Sequence, residues 1–202
     1  MLKRQPLWIP VLTHNPGFAR AFRDFRAMSA VSNRLLDGSR VSAEDIHVAL
    51  DVDPKIPHKK VAVLMAFPLR VHGDLCDAVG PKGEHGLLCG VETALADCMN
   101  TVHVIERLLP ASTPNVSVSI HAESLRRINK GDRILVVSAI DKMGKSMVYL
   151  KTDFYLEPES ASEEMVMRER DIASLQDLRM ALNLYEKLAH VVHVKCILNS
   201  KK

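Results

Sequence analysis

An α+β fold, in which a strongly curved antiparallel sheet wraps one long buried helix, is what this 202-residue sequence predicts. Three observations carry the prediction. The stretch Leu88 to Leu109 is long and apolar enough for a buried helix, and Pro110 closes it. Three strand-like segments follow, the last two joined by a tight turn. A helix that is apolar on most of its faces needs cover on most of them, and a bent sheet supplies that cover.

The elements read in order as follows. Residues 1–15 are irregular. From Pro16, the apolar positions Phe18, Phe22, Phe25, Met28 and Val31 to Leu36 fall at helical spacing, and Gly38 offers a stop. Ser42, with Asp45 three residues on, predicts the cap of a short helix running to Leu50. Pro54 and Pro57 punctuate a linker. Lys60 to Val71 is a strand, and Pro68 inside it demands a sheet edge or a bulge. Residues 72–86 form a glycine-rich loop. After the long helix, Asn115 to Glu123 alternates apolar and polar residues. Asp132 to Ile140 and Ser146 to Leu156 make a hairpin.

Gly144-Lys145-Ser146 imitates the end of a phosphate-binding loop. Ala139 stands where its first glycine should be, and the segment lies between strands rather than before a helix. Ser162 caps a long amphipathic helix over 162–188, with Glu163 and Glu164 in its first turn and a breaking point near Asp171 to Ser174. Ala189 to Leu198 closes the chain as a strand. The domain reading is an N-terminal extension over 1–57, irregular then helical, and a main domain over 58–202 containing the inserted helix.

Apolar residues make up 47% of the chain, enough for a full core, and the net charge of +3 is too small to imply nucleic acid. No apolar run reaches the roughly 18 residues that a bilayer requires. The cysteines Cys76, Cys89, Cys98 and Cys196 form no CxxC pair, so reduced thiols in an intracellular compartment are expected. Lys3, Arg4, Arg20 and Arg23 precede the first acid, Asp24. Such an opening suits a mitochondrial transit segment, a solvated basic tail or a patch for an anionic partner such as RNA. The prolines at 6, 10 and 16 break any long amphipathic helix there. Mitochondrial localisation, or otherwise cytoplasmic, is expected.

The run Leu88-Cys89-Gly90-Val91-Glu92-Thr93-Ala94-Leu95-Ala96-Asp97, the strand around Ser117 and the turn Lys130-Gly131-Asp132 resemble hot-dog acyl-CoA thioesterases of the phenylacetate-pathway and mammalian thioesterase-superfamily type. The resemblance spans roughly residues 60–156 and the last strand. It implies a hot-dog fold with extra N-terminal helices and an inserted helix before the last strand. It also implies hydrolysis of an acyl-CoA to free acid and coenzyme A by a homodimer or a dimer of dimers. By that resemblance Asp97 is the general base or nucleophile. The amide of Cys89 or Gly90 receives the oxyanion, Ser117 orients the water, and Thr101 faces the acyl part or the carboxylate. No cofactor is implied beyond the coenzyme A of the substrate. The family's His-Gly-Gly is replaced by Leu88-Cys89-Gly90, and the Pro after the serine strand by Arg126-Arg127.

The residues leave alternatives open. Asp97 stands among apolar neighbours, where a carboxylate is expensive unless used or paired, and Glu92 is the rival acid. Ser117 alternates with Ser119 and His121, so a plain solvent face competes with a site. Arg126, Arg127 and Lys130 are either a solvated turn or a landing place for coenzyme A phosphates. His72 and Cys76 have an i, i+4 spacing that nothing completes, so no metal site is expected. Beside the hydrolase stand two other classes. One is a catalytically silent hot-dog subunit or scaffold in a mitochondrial assembly. The other is a dehydratase pairing the acid with His85 or His121.

Overall fold

The computed structural model describes residues 8–53, 55–78, 84–111, 113–157 and 174–198. Strand β1 (Ile9–Pro10) leads into α1 (Val11–His14), α2 (Phe18–Met28) and α3 (Ala30–Ser39). β2 (His47–Asp53) and β3 (Ile56–Arg70) follow, then a short turn of 3-10 helix and the small ladder of β4 (Asp77–Ala78) with β5 (His85–Gly86). The long helix α4 (Cys89–Leu108) precedes β6 (Asn115–Ser124), β7 (Arg133–Met143) and β8 (Met147–Leu156). Helix α5 (Leu175–Leu182) and strand β9 (Lys187–Ile197) complete the described chain. Seven strands form one antiparallel sheet in the order β1-β2-β3-β7-β8-β9-β6.

Alternation sorts the sheet into two faces. Met65, Phe67, Ile134, Val136, Phe154, Ala189 and Val191 are buried in one core with Leu95, Ala96 and Met99 of α4. Phe18, Phe22 and Phe25 of α2 and Leu36 of α3 join the same core. The N-terminal helices are therefore part of the central packing. Each fully buried phenylalanine contributes about 1.5–3 kcal/mol by apolar burial. Leu64, Ala66, Val137 and Tyr155 face the other way and pack against Leu178 and Leu182 of α5.

Several elements depart from the sequence reading. The helix expected from Pro16 breaks at Ser29, whose extended backbone ends α2 while its side chain accepts from the Ser32 amide to start α3. The helix expected over 42–50 is a turn followed by β2. The Ser42 hydroxyl donates to the Asp45 carboxylate (2.9 Å), and residues from His47 pair with β3, so tertiary pairing overrides the cap signal. Residues 158–173 lie outside the described ones, so the helix expected over 162–188 is described only from Ser174 on. Its described end stops at Leu182, and a turn over 183–186 hands the chain to β9.

Pro68 sits past the end of the β2 ladder, where β3 has β7 alone beside it, so proline meets the local edge that it requires. Gly131, at φ 98°, makes the turn before β7 in a backbone region that side chains disfavour.

Candidate active site

Helix α4 lies across the sheet with a polar seam on its buried side. Asp97, Asn100 and His103 recur every three residues and stay on neighbouring turns. Asn100 and His103 are fully buried, whereas the Asp97 side chain is 46% exposed. Facing them, Ser138 of β7, Thr152 of β8, and His193 and Lys195 of β9 stand on the helix-facing side of the sheet.

The hydrogen bonds form one connected run. Ser138 and Thr152 both donate to Asn100 Oδ1, at 2.6 and 2.7 Å. With its oxygen occupied, Asn100 turns Nδ2 to His193 Nδ1 at 3.1 Å. His193 therefore accepts at Nδ1 and carries its proton on Nε2, which faces Asp97 Oδ1 at 3.5 Å. His103 Nδ1 lies against the Ser138 hydroxyl at 2.9 Å, and its Nε2 faces the Ala62 carbonyl, an acceptor, at 3.4 Å. Burial pushes both histidines down to about 4, and they are neutral at physiological pH.

At the open end of this run, Lys195 donates to Asp97 Oδ1 at 2.7 Å and to Ser117 Oγ at 3.1 Å. Ser117 itself donates to Asp97 Oδ1 at 2.7 Å. Burial alone would raise the Asp97 carboxyl. The hydrogen bond and charge of Lys195, the Ser117 hydroxyl and the nearby His193 outweigh it and hold the group below the usual carboxylate range. All of these contacts fall on Oδ1. Oδ2 carries none among the described residues, and the side chain is open enough for water to reach it.

Ser117 reaches this place through a β-bulge. Ser117 pairs with Lys195, but the next pair is Ser119 with Val194, so Val118 is the extra residue. Strict alternation would group Ser117 with Ser119 and His121. The bulge instead puts Ser117 on the same face as Ile120 and Ala122, toward α4, and leaves Ser119 and His121 on the other.

The remaining candidates fall as follows. Cys89 and Gly90 form the first turn of α4, both exposed, and their amides make no hydrogen bond among the described residues. A Cβ at Gly90 would meet nothing within 4 Å among the described residues. Thr101 does not bond the Asp97 carboxylate. Its hydroxyl turns back to the Asp97 carbonyl (2.8 Å), the usual local partner of a helical threonine.

Thr101 also lines a groove of about 830 Å³ between α2 and the end of α4, with Phe25, Met28, Ile105 and Leu109. Glu92 is 1% exposed, accepts from Ser124 Oγ at 3.2 Å, and burial raises its carboxyl above the usual range. Water reaches Asp97 and not Glu92.

Arg126 and Arg127 share the loop after β6 but point to different carboxylates, Glu186 and Glu84. Lys130 runs beside Gly73. The three cations lie on one loop without converging on a point. His85, in β5, and His121, beside Glu123 on the sheet's outer face, are both away from Asp97. The histidine that meets the acid is His193, which the sequence reading treated as plain strand, as it did Lys195. The signals were present in the polar i, i+3 seam of α4 and in the alternation of Val191, His193 and Lys195.

No protein-family model matches the sequence, and no curated protein matches it. Solved structures do match. A thioesterase family protein from Silicibacter pomeroyi aligns over 91% of this chain and 100% of its own, with TM-score 0.56 and 13% identity. Mouse thioesterase superfamily member 2 aligns over 88% and 96%, with TM-score 0.51 and 15% identity. The Escherichia coli PaaI protein from the phenylacetic acid degradation operon aligns over 91% and 98%, with TM-score 0.52 and 9% identity. The chain therefore has the hot-dog fold, the architecture it shares with these thioesterase-superfamily structures, as a divergent example of it. At such identities the likeness speaks for the fold and leaves the chemistry to the residues.

Proposed function

We propose that this protein hydrolyses an acyl-CoA thioester to the free acid and coenzyme A. The observation that carries the reading is the contact of Ser117 with Asp97, an ionised carboxylate, half-exposed, in the middle of the helix that a hot-dog sheet wraps. Asp97 Oδ2 takes a proton from water as the water oxygen bonds to the thioester carbonyl carbon. The carbonyl oxygen becomes an oxyanion, and its collapse breaks the carbon–sulfur bond and releases the thiolate. Ser117 has given its proton to Asp97, so it steadies the water by accepting from it. The Cys89 and Gly90 amides, at the positive end of the α4 dipole, suit the oxyanion. The apolar groove beside Thr101 suits the acyl chain.

One helix cannot supply both ends of this site. Seven or eight residues separate Asp97 from Gly90 and Cys89, about 10–12 Å of helix rise, whereas one carbonyl group needs water and amide donors within about 3 Å each. A second copy of the chain supplies the missing half. Among the described residues strand β6 is a sheet edge, with Val116 and Val118 exposed, and it suits pairing with its own copy.

A second reading, a silent hot-dog subunit, draws on the replacement of His-Gly-Gly by Leu88-Cys89-Gly90 and on the lysine seated against the acid. A hydrolysis assay over short, aromatic and long acyl-CoAs decides between them. The chain and Asp97→Asn are compared, because Asn still accepts from Lys195 and Ser117. Turnover lost in the variant supports the hydrolase, and no turnover by the native chain supports the silent subunit.

A further inference from the structure

Lys195 is the group near the acid that neither the resemblance nor the sequence reading assigns. It is 2% exposed, on the strand β9, and Ser117 of β6 is its direct cross-strand partner. A pair in register projects to one face with its side chains close together. The Val118 bulge is what brings Ser117 to that face, so bulge, serine and lysine form a single arrangement aimed at Asp97.

We propose that Lys195 is the positioning residue of this site. Its ammonium fixes Asp97 Oδ1 and Ser117 Oγ together and so turns Oδ2 of the carboxylate outward to the attacking water. The proposal rests on the hydrolase reading for its consequence in turnover, but its geometry stands on the contacts themselves.

Three features support a positioning role over a mere surface ion pair. Lys195 is buried, so its charge is not dispersed in solvent. It makes two hydrogen bonds, and the second of them takes a lone pair of Ser117, which sends the serine proton to Asp97. His193, two residues earlier on the same face, brings Nε2 to 3.5 Å from the same oxygen, with its tautomer set by Asn100. The carboxylate is thus gripped by one oxygen and open at the other. Lys195 is too enclosed to touch a substrate, so it acts through Asp97 and Ser117.

The titratable groups facing the trio are His193 on β9 and Cys98 on α4. Burial pushes the Cys98 thiol up to about 12, far from the carboxyl, whereas His193 takes its proton only near 4, next to the range of Asp97, so its imidazole is followed by NMR in the same titration.

The test compares the native chain with Lys195→Met and Lys195→Arg, each verified as folded by circular dichroism and thermal melting. Two readouts are taken. The first is the carboxyl NMR titration of Asp97, which needs no turnover. The second is the pH profile of kcat/KM on the acyl-CoA that the native chain hydrolyses best.

In Lys195→Met the Asp97 titration moves up by about one to three pH units, and the acid limb of kcat/KM moves with it. At the plateau kcat falls about tenfold or more while KM changes little, because the orientation of the water is lost and not the binding of the thioester. Lys195→Arg keeps the charge and restores most of the low titration. If the Asp97 titration is unmoved in Lys195→Met, the proposal is overturned. If it moves but kcat does not fall, positioning is likewise refuted. If the native chain shows no turnover while the titration still moves, the hydrolase reading falls and the grip of Lys195 on Asp97 stands.

Discussion

Replacing Asn100 with leucine, similar in volume, tests whether the polar seam is a unit. Asn100 is fully buried and serves three partners, Ser138, Thr152 and His193. In the variant, Ser138 keeps its bond with His103, but Thr152 Oγ1 and His193 Nδ1 lose the side-chain partner that Asn100 gave them. Each buried polar group left unpaired costs about 1–3 kcal/mol, so the loss is about 2–6 kcal/mol out of a total stability of about 5–15 kcal/mol. For a chain of this size that lowers the melting temperature by about 4–24 °C.

Thr152→Val removes one donor and leaves Asn100 with two partners, for a loss of about 0.5–1.5 kcal/mol. In the double variant the valine relieves a hydroxyl that the leucine had orphaned, so the double is more stable than the sum of the singles predicts. Urea unfolding of the four proteins measures this cycle. A loss under about 1 kcal/mol in Asn100→Leu, or strict additivity in the double, refutes the account of a connected seam.

Acid should weaken the fold early. The unfolded chain protonates His103 below pH 6.5 while the folded chain refuses the proton until about pH 4, so that stability is full above pH 6.5 and lost as pH falls toward 4. For His103 alone the difference amounts to about 3 kcal/mol, and Asp97 adds a further loss at still lower pH as its carboxylate is neutralised. Unfolding midpoints flat from pH 7 to 4.5 would contradict it.

Glu92→Gln should leave turnover intact and stabilise the fold at neutral pH, because a carboxyl with a raised pKa weakens the fold as pH rises through it. Loss of turnover in that variant with Asp97→Asn active would transfer the role to Glu92. Arg126→Ala with Arg127→Ala should change stability by less than about 1 kcal/mol per ion pair, since both pairs are solvent-exposed. A rise in KM for acyl-CoA with kcat unchanged would show that these arginines bind the coenzyme A phosphates, and an unchanged KM would show a solvated turn.

Much of the frame was legible along the chain. The apolar length of 88–109, the alternation of 115–123 and the hairpin after Gly131 are local patterns, and local periodicity records which face of an element is buried. Asp97 stood out because a carboxylate in an apolar run needs a partner, and Cys89-Gly90 because they open the helix. The resemblance then supplied roles that no spacing could.

Local pattern therefore yields the later strands, the buried helix and the acid within it. What that acid meets is set when the sheet closes. A single extra residue at Val118 reverses which face Ser117 occupies, and a bulge depends on how β6 is pulled onto β9 rather than on any local propensity. The pairing of Ser117 with Lys195 joins residues 78 positions apart, and Lys195 lies 98 positions from Asp97. Contacts of that range arise when the sheet closes over the helix, and the β-branched content that predicted a strand at 189–198 says nothing about its neighbour. Likewise 42–50 carried a helix cap and became a strand, because pairing with β3 outweighs a local signal worth about 1 kcal/mol.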